Sequence, residues 1–600
     1  MTDSRDTRVW KLPETAPSPV EFAQAWSRVV TSAADLARAS AERAAQPAPP
    51  LPYDPAAPLK AFSGFAAHLL TDPGYALKVQ QNAASDWLAL MSAAATRAVG
   101  GKPEPVIAPE RGDRRFADPA WSEEPIFDYL KQAYLLAAKR MVEAVEGAEG
   151  IDEATRTQAL FYTQGVLNAL SPANFPHTNP EAIRRAIDTG SVSLISGLAN
   201  LLADAATQPG IVQRRASREF ELGVDIAATP GSVVFQNELM QLIQYAPTTE
   251  QVARRPLLYI PPLVNKYYLL DLQPKSSLMR WLVEQGHTVF VVSWINPGAE
   301  LGDMGMADYI KLGPVAALDA IEQATGEREV DLFGFCMGGT LAAMAAAYLA
   351  GRGEGERIAS VTTIGSLLDF AQLGQWATFT DPTQLAAFER HLEHKGFMAA
   401  QDLQALFSAV RANDLIWSSV VSHYLLDKEA PPSDILYWFA DGAHIPRAFL
   451  LEYTSQLLRE NKLRVAGGVT LDGVPLDLGA VQAPLLAISL KDDHVSAWTA
   501  TYDSARLWGG PKAFLLGGSG HNAGVINPPS ANKHGFWTNA QMPDTAQAWF
   551  EGATRNEGSW WPHWQGRLAE GQERVPARVP GEAGLQVIEP APGSYVRMKG

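Results

Sequence analysis

The chain has 600 residues, of which 46% are hydrophobic and 19% are charged, a composition typical of a globular protein with a sizeable core and more than one domain. Its formal net charge of −16 argues against nucleic acid as a partner and against binding to anionic membranes by charge. The single cysteine excludes an internal disulfide framework and a cysteine-based zinc site, and it suits a reducing cytoplasm.

The N-terminal region is predicted to be mostly helical. Residues 1–13 are polar and lack the apolar core of a signal peptide, and no run of about 18 apolar residues predicts a membrane-spanning helix. Helices are expected at 18–46, at 57–100 with a break at 72–74, and at 125–146, 152–170, 180–189 and 191–207. We divide the region into a variable helical segment, 1–112, and a helical domain, 113–230. Its amphipathic helices suit either an apolar surface or partner, or packing on the rest of the chain.

From about residue 231 onwards, short β-branched runs alternate with helical segments. Strands are predicted at 256–260, 288–294, 330–335, 360–364, 484–490 and 513–516. Helices are predicted between them near 275–286, 307–323 and 338–351. This alternation predicts an α/β fold with a mostly parallel sheet that is covered on both faces.

The interval between the fourth and fifth predicted strands, about 369–482, is too long for a single crossover connection. It is rich in helical pattern and in aromatic side chains. We interpret it as a cap inserted over the C-terminal edge of the strands, with a third independent domain as the alternative. Residues 231–600 are therefore predicted to form one catalytic domain that contains this insertion.

The only cysteine lies between the third predicted strand and the helix that follows it. Cys336 is flanked by Gly334 and Gly338 in the pattern G-x-C-x-G, which is a nucleophile-elbow pattern with sulfur in place of the usual hydroxyl. The glycines permit a strained turn and close packing, and the N-terminus of the following helix favours a thiolate. The alternative is a buried structural cysteine beside a glycine turn.

A cysteine nucleophile needs a base, and the base needs a carboxylate to orient it. His521 follows the last predicted strand among glycines, and Asp493 follows the strand before it, so these two are the expected base and acid. His494 is an alternative base, and Asp492 and Asp369 are alternative acids. The residue pattern alone separates Asp493 from Asp492 only weakly.

An oxyanion hole needs two hydrogen-bond donors. The backbone amide of Met337, directly after the cysteine, is the first predicted donor. The second is expected in the loop after the first predicted strand, 261–266, where we choose the backbone amide of Val264.

The choice of sulfur over oxygen bears on the reaction. A cysteine retains an acyl group as a thioester, close in energy to a thioester substrate, so that onward transfer to an alcohol remains downhill. This chemistry suits acyl transfer from a coenzyme A thioester to a hydroxyl group, whereas hydrolysis needs no such conservation of activation.

The motifs around these residues identify a known family. They are Arg115 to Trp121, Ser171 to Pro176, Asn237-Glu238, Pro261-Pro262, Asn265 to Tyr268, Val292 to Trp294, Gly334 to Thr340, Ala412 to Trp417, Asp493-His494, Gly518 to His521, Gly524 to Pro529 and Gly558 to Pro562. Through them, the chain resembles the polyhydroxyalkanoate synthases, the bacterial poly(3-hydroxybutyrate) polymerases, in their class I form. The resemblance covers nearly all of residues 113–600, and Met337 stands where class I members more often have valine.

The resemblance implies an α/β-hydrolase-type catalytic domain behind a helical N-terminal domain. It implies a cytoplasmic homodimer on polymer granules that polymerises (R)-3-hydroxyacyl-CoA, with CoA as product and no metal or other cofactor, and granule-associated proteins as further partners. It also places Cys336, Asp493 and His521 on the three catalytic positions of the family. A thioesterase or depolymerase of the same fold is the alternative enzyme, and an inactive granule scaffold is the non-enzymatic alternative.

Overall fold

The computed structural model describes residues 18–45, 49–110, 112–207, 219–429 and 431–600. The described residues divide into two compact units by their contacts. The first unit contains the described residues before 208 together with 405–432. The second contains the described residues from 219 to 404 together with 433–600.

The helices of the first unit lie close to their predicted positions, except for the short helix at 120–123, which was not predicted. They are α1 (Pro19–Ala44), α2 (Ala57–Thr71), α3 (Pro73–Ala98), α4 (Ala120–Glu123), α5 (Pro125–Glu146), α6 (Glu153–Ala169), α7 (Pro180–Asp188) and α8 (Val192–Thr207). In this unit α1 packs along α8, α2 against α6, and α3 against α5. No single described helix is both long and apolar enough to cross a membrane. Taken together, α7 and α8 have the required length and composition, but they are bent by 111°.

Local signals explain where these helices begin. Ser18 caps α1, because its hydroxyl accepts from the Glu21 amide and the Glu21 carboxylate accepts from the Ser18 amide. Asp72 ends α2 and caps α3 by accepting a hydrogen bond from the Tyr75 amide at 2.9 Å. The predicted break at 72–74 is therefore confirmed.

The second unit contains the strands. They are β1 (Gly231–Gln236), β2 (Met240–Tyr245), β3 (Gln251–Ala253), β4 (Leu257–Ile260), β5 (Val289–Trp294), β6 (Val330–Phe335), β7 (Ile358–Ile364), β8 (Phe397–Met398), β9 (Ile445–Pro446), β10 (Thr470–Leu471), β11 (Val474–Pro475), β12 (Leu485–Leu490), β13 (Lys512–Gly517), β14 (Phe536–Thr538), β15 (Thr554–Asn556), β16 (Arg574–Pro576) and β17 (Glu589–Pro590).

The main sheet has eleven strands in the order β15-β14-β13-β12-β7-β6-β4-β5-β2-β1-β17. The central strands from β13 to β5 pair in parallel, and the strands outside them pair antiparallel. All six strands predicted from the sequence are these central ones. The α/β class with a mostly parallel sheet is therefore confirmed.

The sheet is covered on both faces, because alternate strand residues enter two separate hydrophobic clusters. Leu258 and Leu332 belong to the first cluster, which includes most of the helix after β6. Leu257 and Phe333 belong to the second. The helices that follow or flank the strands are α9 (Leu278–Glu284), α10 (Met306–Ile310), α11 (Ala316–Thr325), α12 (Met337–Gly351), α13 (Pro382–Lys395), α14 (Ala400–Val410), α15 (Asp434–Ala440), α16 (Arg447–Glu452), α17 (Trp498–Arg506), α18 (Ala546–Glu551) and α19 (Trp561–Ala569).

Part of the predicted cap belongs to the helical unit. The cap, 369–482, is predicted to lie in the catalytic domain, whereas its residues 405–432 group by their contacts with the helices of the first unit. Within that unit, the π-helical segment Val420–Leu425 packs against α8, and the Tyr424 hydroxyl donates to Asp204 at 2.9 Å. The predicted boundaries at 112 and 230 stay predictions.

Candidate active site

Cys336 occupies the turn between β6 and α12. Its φ of +55° and ψ of −131° put a non-glycine residue in a backbone region that is costly for an L side chain. The amide of Cys336 donates to the Ile364 carbonyl at the end of β7 at 2.8 Å, which holds the turn against the neighbouring strand. The side chain is half-buried and leaves the turn beside the first amides of α12.

The flanking glycines are required by close approach. A Cβ at Gly334 would lie 2.3 Å from the carbonyl oxygen of Gly338, so the turn itself closes the space there. A Cβ at Gly338 would lie 2.1 Å from the carbonyl oxygen of Ile260. The elbow therefore packs directly on the end of β4, where the predicted oxyanion loop begins.

His521 and Asp493 come together at the same edge of the sheet, 28 residues apart in the chain. His521 Nδ1 lies 2.6 Å from Asp493 Oδ2. The two residues are 7% and 8% exposed, so the pair is shielded from solvent. The loops that carry them are tied by the Asp492 amide, which donates to the Ser519 carbonyl at 3.0 Å. The ring of His521 also packs on Phe335, with a centroid distance of 4.7 Å.

The alternative residues lie elsewhere. Asp492 and His494 are exposed. Asp369 accepts a hydrogen bond from Asn461 Nδ2 at 2.7 Å and forms an ion pair with Arg464 at 3.2 Å. The carboxylate that the imidazole of His521 contacts is thus that of Asp493.

Two further residues hold this pair, and the sequence prediction missed both. The Ser496 hydroxyl, 2% exposed, lies 3.1 Å from Asp493 Oδ2 and donates to the Gly365 carbonyl at 2.7 Å. Gly365 has φ +55°, and a Cβ there would lie 3.2 Å from His521 Cε1 and 3.3 Å from Asp493 Oδ2. The D-x-x-S spacing of Asp493 and Ser496 is typical of a side-chain-capped turn and could have indicated the serine. Gly365 carries no such local signal.

Asp493 is fixed on its other oxygen by backbone amides. Val495 and Ser496 donate to Oδ1 at 2.7 and 3.0 Å. Burial raises the pKa of Asp493, but the charge and hydrogen bond of His521 and the two amide bonds lower it below the usual value. Asp493 is therefore an ionised carboxylate that faces the imidazole.

The surroundings of the imidazole make it a stronger proton acceptor than a free histidine. Burial lowers the pKa of His521, but the charges of Asp493 and Cys336 and their hydrogen bonds outweigh it and raise the value to about 10. Because Nδ1 faces Asp493, Nε2 is the ring nitrogen left for the sulfur. The predicted base, His521, thus contacts the predicted acid, Asp493, and interacts with the predicted nucleophile, Cys336.

This pKa shift predicts a pH dependence of stability. A histidine whose folded pKa is raised from 6.5 to about 10 stabilises the fold fully below pH 6.5 and loses that contribution as the pH rises to about 10. The free energy of unfolding of the unsubstituted chain is expected to fall across this window relative to that of His521→Gln. Denaturant titrations of both proteins at several pH values test this, and a constant difference between them would contradict it.

The two predicted oxyanion donors lie on the elements that meet at the elbow. Met337 is the first residue of α12, and Val264 lies in the loop after β4. Among the residues that the structure describes, neither backbone amide has a hydrogen-bond acceptor. Their assignment as oxyanion donors stays a prediction.

Tyr453 of the predicted cap belongs to the surroundings of the sulfur. It begins the π-helical segment Tyr453–Arg459 and stacks on Phe449 at a centroid distance of 5.8 Å. Burial raises the pKa of Tyr453, and the nearby Cys336 raises it further, so its hydroxyl stays protonated. Within the described ranges, no group of three or more His, Cys, Asp or Glu side chains is arranged to hold a metal ion.

Comparison with known proteins places the chain in a family. The family model of the poly-beta-hydroxybutyrate polymerase (PhaC) N-terminus matches residues 112–282, and that of the α/β hydrolase fold matches residues 264–528. The second match confirms the predicted fold class.

Three relatives are similar over most of their length. The poly(3-hydroxyalkanoate) polymerase of Methylorubrum extorquens is 42% identical over 534 residues, covering 88% of each chain. The poly(3-hydroxyalkanoate) polymerase subunits PhaC of Cupriavidus necator and Rhizobium meliloti are 41% and 38% identical, covering 81% and 90% of this chain and 83% and 88% of the relatives. The chain therefore belongs to the poly(3-hydroxyalkanoate) polymerase family of enzymes.

Proposed function

We propose that the chain polymerises (R)-3-hydroxyacyl-CoA, with 3-hydroxybutyryl-CoA as the preferred monomer, and releases CoA. The observation that carries the proposal is the contact of 2.6 Å between His521 Nδ1 and Asp493 Oδ2 beside the strained turn of Cys336. In a family of polymerases, this set fits acyl transfer through the cysteine.

In the first step, His521 takes the proton of the Cys336 thiol, and the sulfur attacks the carbonyl carbon of the thioester. The amides of Met337 and Val264 hold the oxyanion that forms. When the carbon–sulfur bond to CoA breaks, the leaving thiolate takes the proton back from the imidazolium. The raised pKa of His521 favours the imidazolium that stores this proton between the two events.

In the second step, the 3-hydroxyl of the next monomer or of the chain end gives its proton to His521 and attacks the acyl-cysteine. A new ester bond forms, the bond between the carbonyl carbon and Sγ of Cys336 breaks, and the imidazolium of His521 returns the proton to the leaving sulfur, which restores the thiol. Asp493 holds the imidazole by Nδ1 throughout, so that Nε2 faces the reacting atoms. Assistance by Asp493 in activating the hydroxyl is the alternative role.

The proposed reaction needs no cofactor, because the CoA thioester itself is the activated group. We place the enzyme in the cytoplasm as a homodimer at the surface of polymer granules, where granule-associated proteins are further partners. Exposed apolar side chains on the first unit suit such a surface: Phe22, Trp26, Leu70, Trp87 and Leu88.

The test is a product analysis. Purified protein is supplied with (R)-3-hydroxybutyryl-CoA, and CoA release is followed together with the fate of the acyl group. We expect one ester unit in polymer for each CoA released. Free 3-hydroxybutyrate in place of polymer would overturn the proposal in favour of a thioesterase, and no CoA release would favour a non-enzymatic scaffold.

A further inference from the structure

The loop that carries Val264 is held from outside by a short segment of the predicted cap, residues 438–443. We call this segment the clasp. It comprises the end of α15 and the residues that follow it, and it belongs to the same compact unit as the loop 261–266. The clasp and the loop are at least 172 residues apart in the chain, which is the separation of Trp438 and Lys266.

Backbone contacts form the first part of this attachment. Asn265 and Gly442 form an isolated antiparallel β-bridge, and the Ala443 amide donates to the Val264 carbonyl at 3.2 Å. The Trp438 indole N–H donates to the Lys266 carbonyl at 2.8 Å. The carbonyl groups of Val264 and Lys266 are thus fixed by the clasp, while the Val264 amide is left without an acceptor among the described residues.

A buried ion pair forms the second part. Lys266 Nζ lies 2.7 Å from Asp441 Oδ1, and the two side chains are only 5% and 11% exposed. The other oxygen of Asp441 accepts from the Tyr268 hydroxyl at 2.7 Å, so one carboxylate holds the C-terminal end of the loop through two side chains. Burial lowers the pKa of Lys266 below its ordinary value, although the charge and hydrogen bond of Asp441 act to raise it.

The energetics favour a positioning role over a stabilising one. A buried ion pair contributes little net stability, because the loss of hydration offsets the attraction of the charges. It does fix geometry, since both side chains must meet in one arrangement. Here the ion pair fixes the loop 261–266. One end of this loop follows β4, on which Gly338 of the elbow packs, and the other end is attached to the clasp.

We propose that Lys266 and Asp441 are positioning residues, whose ion pair holds the loop 261–266 so that the Val264 amide reaches the oxyanion when the clasp is seated. This inference rests on the proposed function. It makes the oxyanion hole dependent on the cap segment, so that a displaced clasp leaves the sulfur with a single donor, Met337.

The test uses a double variant that keeps the fold, Lys266→Met with Asp441→Asn. Replacement of both charged partners avoids an uncompensated buried charge, and asparagine still accepts from Tyr268. The first-turnover release of CoA from saturating (R)-3-hydroxybutyryl-CoA is expected to slow by about 10- to 100-fold, less than the effect of about 100- to 1000-fold from removing an oxyanion donor outright, because the donor is displaced and not deleted. Alkylation of Cys336 by iodoacetamide forms no oxyanion and is expected to keep its rate within about two-fold.

The helical unit offers a matched control. Lys131 and Asp128 form an ion pair at 3.0 Å with side chains 5% and 10% exposed, close to the burial of the clasp pair. Lys131→Met with Asp128→Asn changes the same two groups at similar burial, and because Asp128 also pairs with Arg97 it disturbs its surroundings at least as much. It is expected to leave first-turnover CoA release unchanged.

Each outcome decides the inference. First-turnover release as fast in the clasp variant as in the unsubstituted chain would overturn it, and so would a loss of alkylation that matches the loss of acylation, because both would then report a general disturbance. Failure of the proposed function is distinguishable, since the unsubstituted chain itself would then release no CoA or would yield free 3-hydroxybutyrate in place of polymer.

Discussion

The Cys336→Ala variant is expected to release no CoA from (R)-3-hydroxybutyryl-CoA above background and to form no polymer. Alanine removes the only atom among Cys336, His521 and Asp493 that can form the acyl intermediate, so the rate should fall by a factor on the order of 10⁴ or more. The measurement is the steady-state release of CoA, together with the amount of polymer after long incubation.

The single cysteine sharpens this experiment. Because the chain has one cysteine, any acyl thioester on the protein must lie at position 336, and its mass and its lability to hydroxylamine can be assigned without mapping. Cys336→Ser is the matched variant, and it should be far weaker than the unsubstituted chain because an oxyester is a poorer acyl donor. Substantial polymerisation by Cys336→Ala would rule out the cysteine mechanism.

The central sheet was predictable because its strands are buried on both faces. Continuous apolar runs such as Leu257–Ile260 and Leu485–Leu490 are typical of parallel strands and stand out between helical segments. The antiparallel edge strands were missed. β14 and β15 have only three residues each, and the pairing of β1 shifts register between Val233 and Phe235. None of these three strands therefore shows a regular alternation of apolar and polar residues.

One helix was predicted as continuous and is broken. The sequence indicates a helix at 307–323, but α10 and α11 are separated by the π-helical segment Lys311–Val315. Pro314 has no N–H to donate, and Gly313 leaves helical geometry with ψ −105°. A Cβ at Gly313 would lie 2.4 Å from the ring of Trp294, so the break also accommodates the end of β5. That contact joins residues distant in the chain, so the sequence around Gly313 does not indicate it.

The candidate site also has a part that the sequence predicts and a part that it does not. Strand ends in a parallel sheet meet at one edge, which is why Cys336, Asp493 and His521 could be grouped from the sequence. The groups that hold Asp493, His521 and the loop 261–266 are fixed by contacts between residues far apart in the chain. Examples are the contacts of Ser496 with Gly365 and of Lys266 with Asp441. Sequence periodicity carries no information about such contacts.

The Asp493→Asn variant is expected to lose CoA release by about 10³- to 10⁴-fold at neutral pH, the second large effect. An asparagine can still contact Nδ1, but it supplies no charge, and the charge of Asp493 is a main cause of the raised pKa of His521. The neutral amide also permits the wrong tautomer, in which Nε2 carries the proton and cannot accept one from the sulfur. The measurement is kcat and KM for CoA release across pH 6 to 10, with kcat expected to carry the loss.

The neighbouring carboxylates provide the controls that make this result specific. Asp492→Asn removes the same charge one residue away, from an exposed side chain, and Asp369→Asn removes a buried carboxylate that contacts Asn461 and Arg464 instead of the imidazole. Asp492→Asn is expected to release CoA within about two-fold of the unsubstituted rate, because a surface charge is screened by solvent. If Asp369→Asn proved as severe as Asp493→Asn without any loss of fold, the proton would have to move through a carboxylate that does not touch His521, and the assignment of Asp493 as the partner of the base would fail.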